Sequence, residues 1–347
     1  MQDYHEQNNT NLEYSKYKEG KPKKSLFKRF FLAFVILAFL VIAAAAFIFK
    51  TGFTFSQISV DLNGAGGKLP IEQPYKHSDN DRINILVLGY RGADDPSGGL
   101  LSDSIMLVSI KKSTGKVSLI SVPRDLYVTV PGTDIKEKIN FAHAYGEEKK
   151  PNGGGLAYSK AIVSEVTGQY IDYAISINHA AFKEIVEAVG GVDVYLDKPF
   201  VENEQFTNEI ILNLPAGKNH LDSATALFYA RSRYTTSDFD RMRRQQQILL
   251  AVKDKILSLG FLANPVKIFN LMDIAGRNVR TDMGTGDIQN LIGLLPKLDK
   301  DNISKKVFDT SPEGLLHSTT AQNGAYILLP VSGNYDKMRE VCKNIFN

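Results

Sequence analysis

The sequence predicts an α/β domain, a three-layer sandwich with a central mixed β-sheet and helices on both faces, preceded by one N-terminal transmembrane helix. Short apolar runs of strand length alternate along the chain with segments of helical spacing, which favours a mixed sheet covered by helices. A separate apolar run near the amino terminus is long enough to cross a bilayer.

The predicted transmembrane helix covers residues 26–49, of which residues 30–49 carry no charge. By the positive-inside rule, the basic residues before it place the amino terminus in the cytoplasm and the rest of the chain outside the cell membrane. A cleaved signal peptide, with a cleavage site near Ala43–Ala46, is the alternative. The basic residues close before the apolar run are Lys18, Lys21, Lys23, Lys24, Lys28 and Arg29.

Composition shifts divide the chain into five predicted segments. Polar residues dominate the amino-terminal tail, and glycine and proline are frequent just after the apolar run. The segments are a cytoplasmic tail (1–25), the transmembrane helix (26–49), an extracytoplasmic stalk (50–80), a catalytic core (81–260) and the carboxy-terminal part of the extracytoplasmic domain (261–347).

Charge and cysteine content exclude some classes of protein. The net charge of +3 arises in the first 29 residues, so the remaining chain is neutral. A nucleic-acid-binding domain usually has an excess of basic residues, and we therefore expect no nucleic-acid partner. Cys342 is the single cysteine, which rules out an internal disulfide framework.

Hydrophobic periodicity and turn residues predict the individual elements. A near-continuous apolar run at residues 83–89 reads as a buried strand, and a glycine-rich loop over 91–99 follows it. Two further runs flank the turn KKSTGK and predict a hairpin. The other predictions are strands at 173–177, 192–196 and 327–331, helices at 156–167 and 179–189, a helix capped by Asp222, and a longer helix from Ser237 or Asp238 to about Leu259.

Two short clusters of polar residues lie where strands are predicted to begin or end. Leu101-Ser102-Asp103 follows the glycine-rich loop, and Pro123-Arg124-Asp125 follows a strand. Loops at strand ends are where α/β folds place ligands. Alone, each cluster also fits a structural role, since Asp103 can cap a turn and Arg124 can form a surface ion pair with Asp125.

The third cluster is more informative and lies in residues 229–257. Arg231 and Arg233 are two residues apart, so in an extended segment they face the same side. Arg241 and Gln245 begin the stripe of the following helix that continues with Ile248, Leu249, Val252 and Ile256. Because burying an arginine and a glutamine without partners is costly, we expect them to line a polar cavity.

Three arginines beside a helix amino terminus predict a phosphate-binding site, because guanidinium binds phosphate through two parallel hydrogen bonds. The alternative is a solvated face on which Asp238 and Asp240 neutralise the arginines. Arg243 and Arg244 lie off the buried stripe, and we predict that solvated environment for them.

Seven motifs occur together in one order. They resemble the LytR-CpsA-Psr family, and the resemblance covers about residues 83–258. The motifs are PRD (123–125), KIN (138–140), AYG (144–146), GGVDV (190–194), HLD (220–222), YARSR (229–233) and DFDRMRRQQ (238–246).

The resemblance implies a phosphotransferase of the bacterial cell envelope. Family members transfer a glycopolymer, such as a teichoic acid or capsule chain, from a polyprenyl-pyrophosphate carrier to peptidoglycan, with the lipid tail in an apolar pocket. It implies that pyrophosphate is held by Arg124, Arg231, Arg233, Arg241 and Gln245. It also implies a magnesium ion near Asp103. We expect Asp125 to belong to the catalytic residues and to orient Arg124, and a role as general base is the alternative.

Two positions depart from the family pattern. Arg91 stands where members commonly have a second metal-associated aspartate, and Leu101 stands where an arginine is usual. We hypothesise that Asp94 or Asp95 replaces the missing carboxylate and that Arg91 supplies the charge lost at Leu101.

Three other functions are compatible with the sequence. The chain could release the carrier by hydrolysis, acting as a pyrophosphatase, or bind lipid-linked polymer without catalysis. Transcriptional regulation is a third alternative, against which the predicted export and the neutral body argue.

Overall fold

Six strands form the central sheet, in the order β11-β6-β1-β2-β3-β12. β1 (Arg82–Gly92) pairs antiparallel with β2 (Gly99–Lys111), which pairs antiparallel with β3 (Val117–Ser121). β6 (Tyr173–Asn178) runs parallel to β1, whereas the edge strand β11 (Val279–Thr281) runs antiparallel to β6, and the opposite edge strand β12 (Ile303–Val307) runs parallel to β3. The sheet is therefore mixed, as predicted.

The remaining elements form helices and small two-stranded sheets. The helices are α1 (Phe141–Lys149), α2 (Gly154–Thr167), α3 (His179–Ala188), α4 (Ser223–Arg231), α5 (Asp238–Ile256), α6 (Pro265–Asn278), α7 (Thr285–Leu294) and α8 (Asp336–Lys343). The strand pairs are β4 (Tyr127–Thr129) with β5 (Lys136–Lys138), β7 (Val192–Leu196) with β10 (Gly217–Leu221), β8 (Phe200–Asn203) with β9 (Ile210–Leu214), and β13 (Leu316–Thr320) with β14 (Tyr326–Pro330).

The computed structural model describes residues 50–54, 56–60, 62, 71–92, 99–207, 209–258, 260, 264–299 and 303–347. Residues 51–347 belong to one compact unit. Among the described residues, no helix combines the length and the apolar character needed to cross a bilayer. The predicted tail and transmembrane helix (1–49), and the metal candidates Asp94 and Asp95, lie outside the described residues.

Alternating side chains of the sheet serve two separate cores. Leu86 and Leu88 of β1 and Leu107 of β2 face a core built with α1, α2 and α8. Their neighbours Ile85 and Met106 face the opposite core, against which residues of α5 and α7 pack. This period of two, with apolar residues on both faces, explains the unbroken apolar runs in the sequence. The predicted helices on both faces are confirmed.

A third core joins the strand pair β7–β10 to the helices α3, α4, α5 and α6. Ile248 and Ala251 of α5 are buried in it, while Leu249 and Leu250 of the same helix pack against the sheet. Helix α5 therefore lies between the sheet and the β7–β10 pair, and this position brings its amino-terminal turns to the functional residues.

Two polar side chains of α5 are buried although no local sequence pattern predicts their burial. Gln246 is 2% exposed, and its amide donates to Ser121 Oγ (2.9 Å) and to the carbonyl of Lys306 (3.1 Å). Arg244 is 6% exposed and donates to the carbonyls of Tyr229 (3.0 Å) and Ser232. The prediction of a solvated face was wrong for Arg244, because backbone carbonyls compensate its burial. It was right for Arg243, which is exposed and pairs with Asp240.

The other sequence predictions of elements agree with the structure, with small shifts at their ends. Asp222 caps α4 by accepting from the Thr225 amide, and Ser237 caps α5. The long helix ends at Ile256 rather than near Leu259. The glycine-rich segment is not a loop throughout, because its two ends pair as parts of β1 and β2.

The GGVDV and HLD motifs meet at the end of α3. Gly190 and Gly191 both have positive φ, and their amides donate to the last carbonyls of α3, Glu187 O and Val186 O. A Cβ on Gly191 would lie 2.8 Å from the carbonyl oxygen of Leu221, whereas a Cβ on Gly190 would meet nothing within 4 Å. Both positions require φ > 0, but only Gly191 is also confined by its neighbours.

We expect Gly190→Ala to lower the free energy of unfolding by about 1 kcal/mol, because a residue with a side chain is strained in the left-handed conformation. Gly191→Ala should cost about 1–3 kcal/mol more, because its methyl group also collides with the backbone of β10. Thermal melting of the two variants, followed by circular dichroism, measures the difference. Equal melting temperatures would contradict the steric account, since the two substitutions are otherwise matched.

Candidate anion-binding site

A bulge in β2 presents Asp103 to the interior of the protein. Gly89 of β1 lies opposite Ser104, but the next residue, Tyr90, lies opposite Ser102. Asp103 is therefore the extra residue of a β-bulge, and it lies within β2 rather than at a loop junction as predicted. Bulges re-aim side chains next to functional sites. Here the bulge releases the Asp103 carboxylate from the regular alternation of the strand.

Two arginines bind the Asp103 carboxylate. The Arg124 guanidinium donates to Oδ1, and Arg91 Nε donates to Oδ2 at 3.3 Å. Burial raises the pKa of Asp103, but the positive charge and hydrogen bond of Arg124 outweigh it, so the pKa lies below its usual value. The carboxylate is therefore charged at neutral pH. The PRD motif and the glycine-rich segment meet at this residue.

The first turn of α5 brings a further arginine to the same place. Arg241 is 4% exposed and donates to Asp238 Oδ1 at 2.9 Å and to the backbone carbonyl of Asp103 at 3.1 Å. Burial lowers its pKa to about 10, and the attraction of Asp238 acts against this shift. Arg241 thus remains charged at neutral pH in a site with little access to solvent.

The helix amino terminus itself is already capped. Ser237 Oγ accepts from the Asp240 amide, and an Asp240 carboxylate oxygen accepts from the Ser237 amide, which forms a capping box. Asp238 and Asp240 supply negative charge to the first turn. Any affinity for an anion must therefore come from the arginine side chains more than from the helix dipole.

Arg231 and Arg233 lie on the segment between α4 and α5. Arg231 is the last residue of α4, which corrects the prediction that both residues belong to an extended segment. Ser232 is extended, and both arginine side chains still line one cavity. Both residues are exposed, and among the described residues neither side chain has a carboxylate partner.

A buried glutamate fixes this segment. Glu202 of β8 is 3% exposed, and its Oε1 accepts from the amides of Arg233 (3.2 Å) and Tyr234 (2.7 Å). Its Oε2 accepts from the Thr235 hydroxyl at 2.8 Å. A carboxylate that receives several N–H and O–H donors is a strong local anchor. Glu202 therefore holds the backbone that carries Arg233, a role that the sequence did not reveal.

These residues surround a cavity of about 290 Å³ that has one cationic end and one apolar end. Gln245 of α5 lies at the cationic end and donates to the carbonyl of Ala230 at 3.2 Å. The structure thus brings together six predicted residues, Asp103, Arg124, Arg231, Arg233, Arg241 and Gln245, and adds Arg91. The apolar end, which we call the apolar cavity, includes Val87, Met106, Ile177, Phe182, Ile185, Val186, Leu227, Ile248, Leu249 and Val252.

Asp125 is placed differently from the other predicted residues. It is not among the residues that line the cavity. Its carboxylate lies 2.6 Å from Lys138 Nζ and 3.8 Å from Arg124 Nε. The PRD and KIN motifs are therefore joined by an ion pair, and Asp125 is better placed to position Arg124 than to reach a ligand.

Positive charge exceeds negative charge at the cationic end. The arginine cluster consists of Arg91, Arg124, Arg231, Arg233 and Arg241, and the carboxylates that pair with it are Asp103, Asp125 and Asp238. Like charges gathered at one end of a cavity repel one another, and a bound anion relieves that repulsion. The site is therefore built to receive an anion, and the planar guanidinium groups favour phosphate or carboxylate.

The described residues alone do not make a magnesium site. Within the part of the chain that the structure describes, no three His, Cys, Asp or Glu side chains come close enough to hold a metal ion. Both oxygens of the Asp103 carboxylate already accept from arginines. A metal ion at Asp103 would have to compete with Arg91 or Arg124 and to take most of its ligands from elsewhere.

An arginine-rich end joined to an apolar cavity has the chemistry to receive a ligand that is anionic at one end and apolar at the other. The LytR_cpsA_psr family model matches residues 54–344, and the chain belongs to that family.

Two curated relatives are named polyisoprenyl-teichoic acid–peptidoglycan teichoic acid transferases. TagU of Bacillus cereus is 29% identical over 72% of this chain and 77% of its own length. TagT of Bacillus subtilis is 28% identical over 94% of this chain and 96% of its own length. The prediction of a transferase enzyme is confirmed by these relatives.

A solved structure described as TagT bound to LI-WTA has the same fold. It superposes with a TM-score of 0.59 at 24% identity, covering 83% of this chain and 97% of the other. At this identity the likeness shows the fold alone.

Glu202→Gln should weaken binding of pyrophosphate roughly tenfold. The new side-chain NH2 group cannot accept the donors that the carboxylate accepted, so the backbone that carries Arg233 is held less firmly. Isothermal titration with pyrophosphate measures the effect. Glu147→Gln is the matched control, since Glu147 of α1 also accepts backbone amides, those of Asn152, Gly153 and Gly155, and does not line the cavity. An equal loss of pyrophosphate affinity in the two variants would contradict the role assigned to Glu202.

Proposed function

We propose that this protein is a membrane-anchored phosphotransferase that moves a glycopolymer from a polyprenyl-pyrophosphate carrier to peptidoglycan. The observation that carries the proposal is the cavity that joins five arginines to an apolar interior. A pyrophosphate with a lipid on one side combines the two chemistries that this cavity offers. The names of the relatives, which join polyisoprenyl-linked teichoic acid to peptidoglycan, support the same substrate class.

The arginine cluster would hold the pyrophosphate. Arg124 and Arg241 are fixed by Asp103 and Asp238, so part of the cationic surface is preorganised before the ligand arrives. Arg231 and Arg233 lack carboxylate partners among the described residues and supply the charge that the ligand neutralises. Fixed cations that face developing negative charge stabilise a transition state without reorganisation.

The transfer is a displacement at phosphorus. A hydroxyl oxygen of the acceptor forms a bond to the phosphorus that bears the sugar, and the bridging P–O bond breaks. The bond electrons leave with the polyprenyl phosphate, whose negative charge the arginines balance. The hydroxyl proton passes to water, because the carboxylates of Asp103 and Asp238 are paired with arginines and we assign no general base.

The apolar cavity would hold the first isoprenoid units of the carrier. Its side chains come from both walls, the sheet and the helices α3, α4 and α5. Burying them against a lipid contributes about 25 cal/mol per Å² of apolar surface. The remainder of the lipid stays in the membrane, which agrees with the proposed anchor at residues 26–49 and the proposed position of the domain outside the cell.

Magnesium is part of the proposal, although the described residues do not complete a site for it. Asp103 would contribute one oxygen, the substrate pyrophosphate others, and Asp94 and Asp95 are further candidates. When bound, the ion would supply positive charge that stabilises the leaving phosphate. No step above depends on it.

The first test is turnover of a polyprenyl-pyrophosphate-linked oligosaccharide by the full chain in detergent, with a peptidoglycan acceptor. Arg231→Ala should lower the rate roughly 100-fold, because one donor to the developing charge is lost. Arg277→Ala is the control, since Arg277 is an exposed arginine paired with Glu184. The product is identified by mass spectrometry, which separates transfer to the acceptor from hydrolysis.

Each outcome of that test decides between functions. Transfer that needs Arg231 supports the phosphotransferase. Release of the sugar phosphate to water, with no acceptor product, makes the protein a pyrophosphatase. Tight binding without turnover makes it a receptor, and unchanged transfer by Arg231→Ala would refute the assigned site.

Magnesium binding gives a separate prediction. Arg91→Ala should tighten the binding of magnesium severalfold in the presence of a polyprenyl-pyrophosphate ligand, because Oδ2 of Asp103 no longer accepts from Arg91. Calorimetric titration with magnesium chloride measures this without turnover. Arg243→Ala, which removes an arginine paired with Asp240 and Asp309, should leave the affinity unchanged. Unaltered or weaker magnesium binding by Arg91→Ala would contradict the predicted competition.

A further inference from the structure

Arg231 and Arg233 line two cavities rather than one. Besides the cavity described above, they face a pocket of about 510 Å³ between the β8–β9 hairpin and the segment that follows α4. We call this second space the hairpin pocket. Its other lining residues are Glu202, Asn203, Glu204, Gln205, Ile211, Phe228, Ser232 and Tyr234. Because both arginines line both spaces, they lie between the cationic end of the first cavity and the hairpin pocket.

The hairpin pocket is lined by solvent-exposed aromatic and aliphatic side chains next to polar ones. Tyr234 is 50% exposed, Ile211 is 49% exposed and Phe228 is 37% exposed, next to the polar residues Asn203 and Gln205. Exposed apolar side chains that are rimmed by polar groups mark binding surfaces. Aromatic rings can pack against the C–H faces of a sugar, and amide side chains both donate to and accept from hydroxyl groups.

The backbone of Tyr234 is held in place before any ligand arrives. The Tyr234 amide donates to the buried Glu202 carboxylate at 2.7 Å, and the hydroxyl of Thr235 donates to the same group. A side chain on a fixed backbone loses less freedom on binding. The backbone that carries the Tyr234 ring is therefore held by two hydrogen bonds to Glu202, a residue of the β8–β9 hairpin.

We propose that the hairpin pocket binds the first sugar units of the glycopolymer, those attached directly to the pyrophosphate. The proposal rests on the proposed function. A carrier pyrophosphate has the lipid on one side and the sugar on the other. If the lipid of the carrier lies in the apolar cavity and its phosphates bind Arg231 and Arg233, the sugar extends past these two arginines into the hairpin pocket.

The test compares two ligands that differ only in the sugar. One is a polyprenyl pyrophosphate without sugar, and the other is the same lipid pyrophosphate carrying a disaccharide. Their affinities for the full chain in detergent are measured by calorimetry. Tyr234→Ala should weaken the sugar-bearing ligand roughly tenfold through loss of an aromatic contact and leave the sugar-free ligand unchanged. Tyr234→Phe, which keeps the ring, should bind both ligands as the wild type does.

A matched control and a third ligand sharpen the result. Tyr195→Ala removes another exposed tyrosine, on β7, which lines neither cavity, and should bind both ligands normally. Melting temperatures establish that all three variants are folded. A peptidoglycan disaccharide fragment serves as the acceptor probe. If Tyr234→Ala weakens only this fragment, the pocket holds the acceptor and the proposal is overturned.

The failure of this proposal can be told apart from failure of the proposed function. If wild type binds both lipid ligands and Tyr234→Ala weakens them equally, or weakens neither, the sugar assignment alone is wrong. If wild type binds neither lipid ligand, or if Arg231→Ala leaves both affinities unchanged, the proposed function fails and the sugar assignment falls with it.

Discussion

The buried guanidinium group of Arg241 is the group on which the arrangement of the site depends. Arg241 is 4% exposed, and a guanidinium group in such a place must be compensated by partners of good geometry. It finds them in Asp238, one turn earlier on α5, and in the backbone carbonyl of Asp103. The bond to Asp103 holds the start of α5 against the bulge of β2, where Arg124 joins the network through the Asp103 carboxylate. Segments far apart in sequence thereby enclose one cavity.

Helix α5 acts in both structure and binding because its polar residues lie on different sides. Arg241 and Gln245 face the cavity. Arg244 and Gln246 point elsewhere and donate to backbone carbonyls of α4, of Ser232 directly after α4, of β3 and of β12. The second pair fixes the position of the helix so that the first pair can remain available. An anion-binding surface needs this support, since a cluster of like charges would otherwise push its elements apart.

The fold accounts for the framework but not for the chemistry. Similar folds carry different functions, and activity resides in particular side chains. In this chain the combination of Arg91 with Asp103 is such a local feature, because Arg91 donates to the Asp103 oxygen that Arg124 does not bind. The LytR_cpsA_psr family model identifies the family to which the chain belongs, whereas the charges around Asp103 depend on side chains of this particular sequence.

Local sequence determined much of the architecture. The apolar runs of β1 and β2, the turn between β2 and β3, the caps at Asp222 and Ser237 and the glycines after α3 depend on neighbours in the chain, so periodicity and turn chemistry predicted them. The motifs around Arg124, Arg231 and Arg241 likewise predicted residues that the structure brings to one cavity. Tertiary structure alone decided which polar residues are buried. Glu202 and Gln246 carry no local signal, because their partners, Tyr234 and Lys306, lie 32 and 60 residues away. Whether a polar side chain is exposed or buried depends on partners that only the folded chain provides.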